Sequence, residues 1–257
     1  DGKKVEIYKQ QEERESAKQS FENIGDYLVL ENNISLVDTS GMLNLQTVGG
    51  NLWVLRNDIL AELDGFKNLE SVGGLVYITE NILSNVDGLA NLTTVGGPIE
   101  IVGNEALTNL DGLSNVETAK DLLINNNKML MNLDGLAKFR SAHGNVEVVN
   151  NDALTSVDGL ENIEIISGVF NIDFNPSLTK IDGFNSVNSL RSLLVTNNPK
   201  LERVNGFANL KNITDHLIIE ENQTLTEVEG FQNLNNVGGH INFILNPALT
   251  DLIGFST

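Results

Sequence analysis

Asparagine recurs along this chain with a nearly fixed period. Asn33, Asn57, Asn81, Asn104, Asn127, Asn151, Asn175, Asn198, Asn222 and Asn246 are each 23 or 24 residues from the next. A glycine column runs beside them, with Gly41, Gly65, Gly88, Gly112, Gly135, Gly159, Gly183, Gly206, Gly230 and Gly254. A period of this length belongs to repeat architectures, in which a unit too small to bury its own apolar face buries it against the next copy.

Around these anchors the unit is approximately G-x-(L/I)-x-(V/I)-x-x-N-x-x-L-x-x-(L/V)-D-G-(L/F)-x-N-L-x-x-V-G. Its first part alternates, as in Val146-Glu147-Val148 and Ile99-Glu100-Ile101, which predicts a short strand with one face buried. Beyond the asparagine the apolar residues fall three apart, as Leu154, Val157, Leu160, Ile163 and Ile166 do. Asp-Gly pairs interrupt this part, so an irregular or 3-10-like back wall fits better than an α-helix. The expected fold is an α/β-type repeat solenoid with little helix, about ten coils of 23–24 residues and one long parallel sheet.

The asparagine column is expected to be structural. A buried amide left without partners costs about 1–3 kcal/mol, so ten of them imply a hydrogen-bonded ladder at the bend after each strand. Asp-Gly pairs such as Asp158-Gly159 suggest turns that exploit positive φ at glycine. The competing reading, calcium between stacked carboxylates, is disfavoured. Calcium takes about six to eight oxygens, whereas the column offers one carboxylate per coil and changes to Asn205 and Glu229. Four N-x-S/T sequons begin at Asn33, Asn91, Asn212 and Asn222. Two of them fall on ladder positions, so accidental matches within an Asn- and Thr-rich repeat are expected.

Charge and composition exclude several partners. The 35 acidic and 16 basic residues give a formal charge of -19, which repels phosphate backbones and anionic lipid surfaces. Nucleic acid and membrane insertion are not expected, and no stretch approaches the ~18 apolar residues of a membrane span. There is no cysteine, hence no disulfide framework or thiolate metal site. No cofactor is implied. The three histidines, His143, His216 and His240, precede different strands without metal-ligand spacing. Carboxylate pairs for glycoside cleavage would need a cleft that a regular sheet does not offer. A threonine column at Thr108, Thr155, Thr179, Thr226 and Thr250 is interrupted by Met131 and Glu202, which argues against a flat ice-binding array.

At the N-terminus, residues 9–23 (KQQEERESAKQSFEN) are rich in helix formers. They are expected to form a capping helix, giving an N-terminal cap over 1–24 and a solenoid over 25–257. The last unit stops partway through its tenth copy, so its end is expected to be covered by further chain or a neighbour.

Function should be written on the outward strand positions, because the inward ones are committed to the core. One outward row reads Val29, Trp53, Tyr77, Glu100 and onward to Asn242. The only Trp and one of three Tyr thus fall on adjacent rungs, beside Leu55 and Arg56. Aromatic residues and Arg are enriched at binding hot spots. Val29, Trp53, Leu55, Arg56, Tyr77 and Glu100 therefore form a candidate ligand-facing patch; the alternative is that the two rings pack beneath an N-terminal segment or against each other. A second apolar group, Ile218, Ile244 and Leu245, is expected to be covered by other chain.

The stretches GNVEVVNNDALTSVDGLENI, GPIEIVGNEALTNLDGLSNV and GGLVYITENILSNVDGLANLTTVGG resemble the leucine-rich-repeat superfamily. The closest likeness is to receptor L-domain-like repeats of bacterial and lower-eukaryotic surface proteins. The match covers residues 25 to 255. Two departures stand out: the next Leu follows the asparagine by three residues instead of two, and the cysteines of animal receptor L domains are missing. The resemblance implies a right-handed, L-domain-like solenoid acting as a secreted or cell-surface recognition or adhesion module, binding protein or glycan without catalysis. A structural spacer is the nearest rival reading, and a carbohydrate-active protein the next.

Overall fold

The computed structural model describes residues 5–6 and 21–255. The alternating part of each unit becomes one strand: Leu28–Glu31, Leu52–Leu55, Val76–Thr79, Ile99–Val102, Leu122–Asn125, Val146–Val149, Val169–Asp173, Ser192–Thr196, Leu217–Glu220 and Ile241–Ile244. All pair in parallel, each with the strand one coil before and after, and Val5–Glu6 adds beside Leu28–Glu31 to make an eleven-stranded sheet. Register follows the repeat, so Val146 faces Leu122 on one side and Phe170 on the other.

Most of the expected capping helix lies outside the described residues. Its last part, residues 21–23, is not helical, and Asn23–Ile24 is a short strand pairing with Thr47–Val48. Two-residue strands of this kind recur in every coil and form a second, broken wall.

The back wall is thin. Six successive coils carry a three-residue 3-10 turn, from Ser40–Met42 and Asp64–Phe66 to Asp158–Leu160, and Ile253–Phe255 forms a seventh. Asp87, Asp111 and Asp134 donate their backbone N–H to the side-chain oxygen two residues earlier, Asn85, Asn109 and Asn132 at 3.0, 3.1 and 3.0 Å, an Asx turn that starts each 3-10 segment. The glycine here is not chosen for positive φ. A Cβ on Gly159 would lie 1.8 Å from the Leu133 carbonyl oxygen of the preceding coil, so close stacking is what demands Gly. Positive φ appears only further on, at Gly183, Gly206 and Gly230 with φ of 100°, 131° and 86°. There the 3-10 turn gives way to paired strands Lys180–Ile181, Arg203–Val204 and Glu227–Val228. An alternating charge string crosses this changeover: Lys180 Nζ lies 2.8 Å from Asp158 and 3.7 Å from Asp182, which Arg203 reaches at 2.8 Å.

Between the walls the core is a continuous column. In one coil Val146, Val148, Leu154, Val157, Leu160 and Ile163 are fully buried, and the other coils repeat the set with their own residues up to the last, where Phe243, Leu249 and Phe255 are only partly buried. Toward the C-terminus the residue after the repeat glycine becomes phenylalanine. Phe184, Phe207, Phe231 and Phe255 stack with centroids 5.5, 5.3 and 5.0 Å apart.

The asparagine column lies at the bend after the long strands. Each backbone N–H from Asn33 to Asn222 donates to Oδ1 of the next asparagine at 3.0–3.1 Å. Asn151 Nδ2 also donates to the carbonyls of Ile124 and Val149, both at 3.0 Å. One amide thus ties together three coils. The residue just before each ladder asparagine is left-handed in every coil, with φ of 51–65° at Asn32, Arg56, Glu80, Gly103, Asn126, Asn150, Phe174, Asn197, Glu221 and Leu245. This single αL residue turns the next side chain inward.

A second asparagine column, in the D-G-(L/F)-x-N part of the unit, was given no role by the sequence. Its amides close the exposed edge: Asn68, Asn91, Asn115, Asn162, Asn209 and Asn233 donate to carbonyls of the preceding coil at 2.6–3.1 Å.

Candidate functional site

Strand register brings the outward row together. Val29, Trp53, Tyr77 and Glu100 are successive cross-strand partners, and all four are partly exposed. Trp53 stacks on Tyr27 rather than on Tyr77, with centroids 6.3 Å apart and planes 26° from parallel. Tyr27 was missed in the sequence because it stands just before its strand. Its parity, two residues ahead of Val29, puts it on the same face and was the available signal. The Trp53 indole N–H is buried with no acceptor among the described residues.

Leu55 does not belong to the open patch. It is 9% exposed, and its register partner Thr79 is 3% exposed, although both occupy outward positions. Alternation assigns a side chain to a face; whether that face is open at a given rung is a separate matter. Leu55 is also not part of the continuous core column.

Arg56 sits at the αL bend with φ 54°, and its side chain is 52% exposed. Its Nε donates to Glu80 at 2.8 Å and an Nη lies 3.6 Å from Glu31, so the hydrogen bond and charge of Glu80, then Glu31, hold the guanidinium more firmly protonated than usual. The patch therefore has an aromatic centre and a rim of paired charges. Glu100 stands at the other side. Burial first, then the Asp121 carboxylate, push its carboxyl above the ordinary range.

The remaining candidate positions are accounted for by coil-to-coil contacts. His216 and His240 meet because they are one period apart, with centroids 5.1 Å apart and planes 8° from parallel. Both ring nitrogens of His216 are engaged: Nδ1 accepts the His240 backbone N–H at 3.0 Å, and Nε2 lies 3.0 Å from Asp215. Among the described residues no three His, Asp or Glu side chains converge in a way that could hold a metal ion. Thr108, Thr155, Thr179 and Thr226 donate their hydroxyls to carbonyls one coil back at 3.1–3.3 Å. A shallow depression of about 350 Å³ lies between Glu164–Ser167 and Asn188–Arg191, where the second wall is interrupted between Ile165–Ile166 and Ser189–Leu190. It is away from the aromatic row. Of the C-terminal apolar group, Ile218 is partly exposed, whereas Ile244 and Leu245 are 47% and 64% exposed.

No protein-family profile matches the sequence, and no curated protein matches it in sequence. Solved structures do match in three dimensions. The leucine-rich repeat domain of the type III effector XopL superposes with a TM-score of 0.53 at 15% identity, covering 87% of this chain and 77% of that one. Internalin C2 from Listeria monocytogenes is similar at 16% identity, with 83% and 80% covered and a TM-score of 0.39. The first of these, together with the parallel coils and the asparagine ladder, shows a solenoid fold of the leucine-rich-repeat type.

Proposed function

We propose that this chain is a non-catalytic recognition module that binds a protein partner through the N-terminal part of its long sheet. Trp53, Tyr77 and Val29, extended by Tyr27, form the anchor, and Arg56 and Glu100 lie at its sides. The observation that carries this reading is the aromatic row. Tyr27, Trp53 and Tyr77 occupy one face on neighbouring rungs, and the outward row further along, from Leu123 to Asn242, contains no aromatic residue. Large rings with limited rotamer freedom, flanked by charges, are the composition of interface hot spots. The fold supports the same reading, because a regular parallel sheet presents an extended surface suited to macromolecules. We place the module in an extracellular or cell-surface setting, in keeping with the L-domain-like repeat pattern. Among the described residues no helix is long and apolar enough to cross a membrane.

The test is to screen the purified chain on arrays of secreted and surface proteins and of glycans, then titrate each hit against variants. Trp53→Ala and Tyr77→Ala, each with an unchanged far-UV spectrum, should weaken a genuine partner at least ~30-fold, while Asn171→Ala, farther along the same row, should not. Glycan hits alone would replace protein with carbohydrate as the ligand class. A chain that binds nothing, or binds equally well without Trp53, would be a spacer.

A further inference from the structure

The outward face of the long sheet carries charge of one sign. Its ten long strands hold Glu31, Glu100, Glu147, Asp173 and Glu220 but no Lys or Arg. An asparagine amide donates to each of four of these carboxylates, Asn32 to Glu31, Asn145 to Glu147, Asn197 to Asp173 and Asn242 to Glu220, at 3.1–3.2 Å. Glu100 is the exception. It has no donor among the described residues, and it is partly buried on the rung beside Tyr77, its cross-strand partner.

A second carboxylate stands against it. Asp121 lies two residues before Leu123, the register partner of Glu100 on the next rung, so it shares the outward parity. Its Oδ1 accepts the Asn145 N–H of the following coil at 2.7 Å, the same bond that Asn51 and Asn145 accept from Leu75 and Val169 at 2.8 and 3.0 Å. The fold therefore asks for an amide oxygen at this corner, and the charge of Asp121 is surplus to it. That charge opposes the ionisation of Glu100, and no Lys or Arg among the described residues forms an ion pair with either group. Arg56, at the other side of the patch, is already engaged by Glu80 and Glu31.

Carboxylates without a counter-charge, set beside an aromatic ring, are complementary to a cation: the ring face attracts it and the carboxylates pair with it. We infer, resting on the recognition reading above, that the protein partner is basic at the contact and seats a Lys or Arg side chain against the Tyr77 ring and the Glu100 and Asp121 carboxylates. The incoming cation supplies the charge that this corner of the sheet lacks, and its aliphatic stem lies along the ring. Trp53, one rung away, adds the apolar part of the contact. The formal charge of -19 draws a basic partner in and turns acidic ones away.

Trp53 is the only tryptophan, so its fluorescence reports on the row directly. Titrating the full chain at low salt with a capped Gly-Arg repeat peptide should give a saturable change in emission, and Gly-Gln and Gly-Glu repeats of the same length should give none. Glu100→Gln/Asp121→Asn should weaken the Gly-Arg peptide at least ~5-fold. Removing two exposed carboxylates beside the second wall, Glu70→Gln/Glu117→Gln, should change it less than ~2-fold. Asparagine at 121 keeps the oxygen that the Asn145 N–H needs; should the double variant still fail to fold, Glu100→Gln alone decides, with a loss of at least ~2-fold. No response to Gly-Arg, an equal response to Gly-Gln, or Gly-Arg binding that survives the loss of the carboxylates would each overturn the inference. The recognition reading fails differently, through an array partner indifferent to Trp53→Ala. A partner that needs Trp53 and Tyr77 but binds Glu100→Gln/Asp121→Asn undiminished leaves that reading standing and removes the cation.

Discussion

The backbone N–H of Asn151 donates to the side-chain oxygen of Asn175, 24 residues away, at 3.1 Å. Asn151 Oδ1 in turn accepts the Asn127 N–H at 3.0 Å. Removing this one amide leaves the buried Asn127 N–H without its acceptor and takes one of their donors from the Ile124 and Val149 carbonyls. Asn151→Ala is expected to lower stability by about 1–3 kcal/mol, measured by urea denaturation, with the affinity of any sheet-face ligand unchanged. A midpoint equal to that of the parent would remove the energetic role of the ladder.

Two glycines separate space from conformation. Gly159→Ala places a methyl 1.8 Å from the Leu133 carbonyl and should cost more than about 2 kcal/mol. Gly103 has φ 65° and nothing nearer than 3.5 Å to its added Cβ, and four other coils place Asn at that position. Gly103→Asn should thus leave the unfolding free energy, read from urea denaturation, within about 0.5 kcal/mol of the parent.

Phe174 is 50% exposed and holds φ 51°. Its ring loses little burial on removal, while asparagine tolerates the left-handed region far better. Phe174→Asn should raise stability by about 0.5–1 kcal/mol. A loss of stability would show instead that the ring makes contacts worth more than the strain.

Glu100 gives a pH test. Its folded-state carboxyl is raised by burial and by Asp121, so the folded chain binds this proton more tightly than the unfolded chain does. The contribution favours folding at acid pH and is lost as pH rises through the carboxylate range. At neutral pH the charged group is a small cost. Glu100→Gln should therefore raise the thermal midpoint at pH 7, and that advantage should vanish as pH falls below the carboxylate range. An equal effect at both pH values would assign the change to packing.

The period, the strands and the buried column were legible because each is a one-dimensional pattern: Asn at 23 or 24, apolar residues at two and then at three. The register of Val29, Trp53, Tyr77 and Glu100 followed from the same count. What was not legible depended on contacts across coils. Gly159 was assigned to a turn, although its neighbour's carbonyl is the reason for it. Leu55 has outward parity but is buried. The left-handed column had a visible signal, Asn32, Asn126, Asn150, Asn197 and Gly103 in one register, which Arg56, Glu80 and Phe174 obscured. The His216–His240 stack could also have been read, since any two residues one period apart lie on adjacent rungs.

The ladder and the sheet connect each coil only to its immediate neighbours, in the same register throughout. Number of coils is therefore a quantity that gene duplication can change without redesigning the interior. Excising residues 128–151 would bring Asn175 to Asn127's side with the spacing intact, and the seam would close on contacts the chain already makes elsewhere. A protein built this way can lengthen or shorten its sheet while leaving the Trp53 row unaltered.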